Sequence, residues 1–150
     1  MNEAHVLRAM LHLALMGGVV ACVAGATVGA YALVRPFRAL ALMGLQPAAD
    51  QAPAGTVEAR SRLGGLILAP HGVTGVVLAV SPRIGACMAA ALALAWFGAA
   101  AVRAFAMATG ARDRRQGGAL VLEAAMGVVL AAPLWLYLEI IRADMASAVT

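Results

Sequence analysis

Four apolar stretches, Ala9–Val34, Leu63–Val80, Ile84–Val102 and Gly117–Ile141, hold 26, 18, 19 and 25 residues, and only Glu123 and Glu139 bring charge into them. At a rise of about 1.5 Å per residue, even the shortest reaches ~27 Å as a helix, close to the hydrocarbon thickness of a bilayer. A backbone surrounded by lipid must satisfy its own polar groups, and for single continuous runs of this length the helix is the solution. With 63% hydrophobic and 12% charged residues in 150, the chain has about half the charge of a typical soluble domain. The expected fold class is therefore all-α, an integral membrane four-helix bundle in a single domain.

Local signals set the expected boundaries at 9–34, 57–80, 82–108 and 117–141. Thr56 is positioned as an N-cap for the second helix, and Glu58, Arg60 and Arg62 then fall in its first turns. Only Ser81-Pro82-Arg83 separates the second and third apolar runs, with Ser81 placed to cap and Pro82 suited to a first helical position, so the two form a tight antiparallel hairpin. The loop 35–56 has two halves. Pro36 to Leu45 is a short apolar piece suited to the membrane interface, and Gln46 to Gly55 is a plain polar connection.

Orientation follows from the eleven basic residues, all arginines. Arg35, Arg38, Arg60 and Arg62 lie between the first two helices, and Arg103, Arg112, Arg114 and Arg115 lie at or after the end of the third. Arg8, Arg83 and Arg142 are spread singly over the opposite side. Basic residues resist translocation, which puts the two arginine-rich loops in the cytoplasm and both termini on the non-cytoplasmic side. The first run is read as an anchor rather than a cleaved signal, because it continues past small residues such as Ala24 and Ala26 to Val34. The arginines form neither a face nor a tail, which argues against nucleic acid and for anionic lipid headgroups as their partner.

Small residues recur every fourth position along three helices. Gly17, Ala21, Gly25 and Gly29 form a stripe that lets another backbone approach, the packing that drives association in lipid. Ala91, Ala95, Ala99 and Arg103 share that spacing on the third helix, as do Ala119, Glu123, Gly127 and Ala131 on the fourth, and both stripes are expected to face other helices. A carboxylate within a span is costly unless paired or wet, so an Arg103–Glu123 ion pair is expected, with Glu58 and Arg60 as second partners. This cluster reads either as an interhelical lock or as a polar binding site.

His71 follows Pro70 inside the second helix, where a lone histidine more often bonds a neighbour than serves as a ligand. His5 and His12 stand seven apart without a metal-binding pattern, so no metal and no cofactor are expected. Cys22 and Cys87 fall at different depths and read as separate thiols, and Trp135, Tyr137, Glu139 and Arg142 read as an interfacial anchor.

Glu58-Ala59-Arg60 followed by Gly64-Gly65, Arg103 near the end of the third span and Glu123 early in the fourth resemble a family of small four-helix bacterial inner-membrane proteins classed only as a domain of unknown function. The resemblance extends to about Ile141, with Leu63 where an aromatic would be expected. It implies a fold and a multi-pass place in the bacterial inner membrane, and no activity. Two functions follow as expectations. The first is a non-catalytic structural, accessory or assembly subunit contacting other membrane subunits or further copies of itself. The second is a binder or transporter of a small or lipid-like molecule, using Arg103, Glu123, Glu58 and Arg60 with His71 deeper. A membrane enzyme ranks third.

Overall fold

The computed structural model describes residues 3–42, 52–110 and 114–148. The elements are α1 (Glu3–Val34), α2 (Pro36–Leu42), α3 (Ala52–Glu58), a π-helical segment (Ala59–Gly65), α4 (Leu66–Val80), α5 (Pro82–Ala108) and α6 (Arg114–Ser147). No strand occurs among the described residues. Four helical segments, His5–Val34, Gly55–Val80, Pro82–Ala108 and Gln116–Ser147, are long and apolar enough to cross a membrane. The outer helices extend beyond the apolar runs because their flanks, Glu3 to Arg8 and Arg142 to Ser147, are polar but contain no breaker.

Several boundaries differ from the sequence expectation. The helix leading into the second span begins at Ala52, so Thr56 lies inside a helix and is not its N-cap. Ser81 does stand at the N-cap of α5 with Pro82 following, but its hydroxyl makes no cap bond; its amide donates to the Val77 carbonyl at 2.7 Å and its carbonyl accepts from the amide of Gly85 at 2.9 Å. The apolar half of the first loop forms α2 after the Pro36 kink, with Pro36 and Ala39 buried. The polar half falls largely outside the described residues.

The chain divides into two compact units, one of residues 1–21 with 76–150 and the other of residues 22–75. In the first, α5 and α6 pack along one another. Its core contains the fully buried Leu78, Leu130 and Pro133 and the small buried face of α5, Gly85, Ala86, Ala89, Ala93 and Ala100. Gly85 makes the α4–α5 hairpin tight: a methyl group there would come within 2.9 Å of the Leu78 Cβ and closer still to its backbone. Gly127 similarly seats the Phe97 ring, whose nearest atom would lie 2.5 Å from an added methyl.

In the second unit the glycines of α1 allow backbone contact with the second span. A methyl on Gly29 would lie 2.8 Å from the Leu68 Cα and 2.9 Å from the Gly64 carbonyl oxygen, and one on Gly25 would collide with the His71 ring. Gly64 in turn receives Leu33, and Gly75 lies against Cys22. The π-helical segment sits in this contact: the Leu66 amide bonds the Ser61 carbonyl five residues back, and Ala59 and Gly64 are its buried residues. One wider turn shifts the small residues of the second span relative to those of α1.

The alanine stripe of α5 behaves otherwise than its spacing predicts. Ala91, Ala95 and Ala99 are exposed, because the buried face of α5 lies on the other side. Arg103 follows Ala100 by three residues and so stands at the edge of that buried face.

Candidate functional site

Arg103 and Glu123 meet across the α5–α6 hairpin. The hairpin turns where Thr109 closes α5, its amide and hydroxyl both bonding the Phe105 carbonyl at 3.0 Å, and where Gly110 takes φ +124°, a conformation that favours glycine. Glu123 stands nine residues into α6, about 13 Å along the axis, and Arg103 stands about 8 Å before the end of α5. Helical side chains lean toward their own N-terminus, so in this antiparallel pair Arg103 leans away from the loop and Glu123 toward it. The two heads therefore converge.

The contact is bidentate. Arg103 Nη2 donates to Glu123 Oε1 at 2.6 Å and Nε donates to Oε2 at 2.9 Å. Arg103 Nη1 also donates to the Oε1 of Gln116. The Glu123 side chain is only 10% exposed and that of Arg103 30%, so a neutral pair stands where a lone carboxylate would be severely under-solvated. Both carboxylate oxygens of Glu123 accept from the guanidinium. A shallow groove of about 460 Å³ opens onto this cluster, walled by Gly98, Ala99, Val102 and Ala106.

Gln116 is the member that sequence reasoning missed. It lies two turns before Glu123 on the same face of α6, and the seven-residue spacing was a usable signal. Starting the helix at Gly117 excluded it.

The remaining candidates, Glu58, Arg60 and His71, belong to the second unit. Glu58 pairs with Arg62 one turn on, in an exposed ion pair, while Arg60 is exposed beside it. His71 is 5% exposed, and its Nδ1 donates to the Ile67 carbonyl at 2.8 Å, four residues back. Its ring occupies the space that Gly25 leaves open. Gly17, by contrast, would accept a methyl at ordinary contact, 3.6 Å from Val129, and Ala21 is buried. Both cysteines are free thiols, Cys22 buried and Cys87 exposed. Among the described residues no three His, Cys, Asp or Glu side chains are grouped to hold a metal.

No family model, curated protein or solved structure matches this chain.

Proposed function

We propose that the chain is a small multi-pass protein of the bacterial inner membrane, with both termini on the non-cytoplasmic side, acting as a non-catalytic structural, accessory or assembly subunit. The observation that carries this reading is the mutually bonded Arg103–Glu123–Gln116 cluster. Its charges neutralise each other and both carboxylate oxygens accept from the arginine, as suits a lock fixing the register of α5 on α6. The surface supports a partnered life in lipid. Leu13, Val34, Leu94 and Val102 are each at least 70% exposed, and no more than 28% of any span's most apolar window is buried within the chain. The exposed face of α5 at Ala95 and Ala99 is a surface along which another helix could pack closely. The resemblance to small four-helix inner-membrane proteins agrees with this assignment.

A second reading, a binder of small or lipid-like molecules, draws on one observation: the groove beside Arg103 and Glu123 opens between α5 and α6. Native mass spectrometry after extraction in mild detergent separates the two. A stoichiometric protein partner or a defined homo-oligomer is the expected result. A retained small molecule lost in Glu123→Gln supports the binder, and a bare monomer contradicts both.

A further inference from the structure

At the opposite end of the first unit lies a second polar concavity that the assembly reading does not use. It holds about 530 Å³ and is bordered by Arg8 of α1, Arg83 of α5, and Tyr137 and Asp144 of α6. Neither arginine is in an ion pair with a described residue, unlike Arg62, Arg103 and Arg142. Among its described lining residues two guanidinium groups stand against one carboxylate, an excess of positive charge. Its inner wall is apolar, formed by residues such as Leu11, Leu134 and Ile140.

This concavity adjoins an apolar groove of about 700 Å³ between α5 and α6, the two sharing Cys87, Leu134 and Leu138 as walls. The groove follows α5 from Cys87 to Phe97. That distance is about 15 Å, half of a ~30 Å hydrocarbon core and so the depth of one leaflet. Exposed small residues, Ala91 among them, keep it open, and the charged residues among its described lining, Glu139 and Arg142, neutralise each other at 2.9 Å.

We infer that these two neighbouring cavities together form a binding site for one anionic phospholipid, its phosphodiester held by Arg8 and Arg83 and one acyl chain lying in the Cys87–Phe97 groove. Charge complementarity selects the headgroup: the guanidinium groups match phosphate oxygens, and the excess positive charge disfavours a headgroup that carries its own cation. Tyr137, on the wall of the same concavity, is a further polar side chain of the site. The leaflet-deep apolar groove distinguishes a lipid from a free anion. The inference rests on the chain lying in a membrane, as proposed above, but not on its being an assembly subunit.

The test is native mass spectrometry of the full chain in mild detergent with phosphatidylglycerol, phosphatidylcholine of the same acyl chains, or inorganic phosphate. The wild type is expected to retain one phosphatidylglycerol in preference to phosphatidylcholine. At roughly a fivefold contribution per arginine, R8Q/R83Q should lose about 25-fold in affinity for it. R8K/R83K keeps the charge and should lose less than R8Q/R83Q, which guards against a folding defect in the glutamine variant. Ala91→Trp fills the groove and should weaken lipid binding with both arginines intact. Equal retention of the two lipids by the wild type overturns the site, as does undiminished phosphatidylglycerol binding by R8Q/R83Q. Displacement of the lipid by millimolar phosphate would make it a free-anion site and overturn the lipid assignment. Carbonate extraction of cell membranes separates the two levels. A chain released as soluble protein overturns the membrane reading together with the site, whereas a retained chain without lipid preference overturns the site alone.

Discussion

Adding a single methyl group at three positions of one glycine stripe should give sharply different results. At Gly29 the new Cβ would lie 2.8 Å from the Leu68 Cα and 2.9 Å from the Gly64 carbonyl oxygen. Comfortable carbon contacts begin near ~3.5 Å, and backbone atoms in two helices cannot move aside singly, so the helices must part by several tenths of an ångström or more. Overpacking of this kind costs about 1–3 kcal/mol, and the backbone nature of the clash puts Gly29→Ala at the upper end, ~3 kcal/mol. At Gly25 the obstruction is the His71 ring, which could swing aside only by giving up its 2.8 Å bond to the Ile67 carbonyl. Gly25→Ala should therefore cost about 2 kcal/mol. At Gly17 the nearest atom is 3.6 Å away, an ordinary contact, and Gly17→Ala should stay within ~0.5 kcal/mol of the wild type. Thermal denaturation in detergent resolves these differences. At roughly 2–4 °C per kcal/mol for a chain of this length, Gly29→Ala should lower the midpoint by about 6–12 °C and Gly17→Ala by less than ~2 °C. Equal midpoints for Gly17→Ala and Gly29→Ala would refute the backbone-contact argument.

Other substitutions probe separate contacts. Gly127→Ala meets the Phe97 ring at 2.5 Å, but that ring is 38% exposed and has room to move, so a loss of about 1 kcal/mol is expected in the same melting assay. Arg62→Ala breaks an ion pair whose two side chains are 74% and 55% exposed, and should change the melting midpoint by no more than ~2 °C. Ser81→Ala should be close to neutral in chemical denaturation, since the hydroxyl makes no cap bond, whereas an N-cap that did bond would cost about 1 kcal/mol.

Much of this architecture is legible in the residues. Continuous apolar runs bounded by arginines and prolines locate four long helices, because length and hydropathy alone decide whether a helix can cross a bilayer. The Arg103–Glu123 contact is legible for the same reason: an isolated carboxylate in such a run demands a partner, and one arginine lies at the matching depth. What escaped depends on choices that spacing does not encode. Alanines occur on every side of α5, so a spacing of four cannot tell the buried face, Ala86, Ala89 and Ala93, from the exposed face, Ala91, Ala95 and Ala99. The π-helical turn at Ala59–Gly65 has no compositional signature beyond its paired glycines, and it arises where the second span fits against Leu33 and Gly29 of α1. Arg8 and Arg83 each read as a solitary headgroup anchor, and only the fold shows that they border one concavity.

The central claim, that the Arg103–Glu123 pair is a lock, is tested most directly by a double-mutant cycle in chemical denaturation, using Glu123→Gln, Arg103→Gln, the double substitution and the swap R103E/E123R. Each single change leaves a poorly solvated partner behind and should cost about 2–4 kcal/mol, with a coupling energy of roughly 1–3 kcal/mol and at least partial recovery in the swap. Single variants as stable as the wild type, with no coupling between the two positions, would contradict the lock.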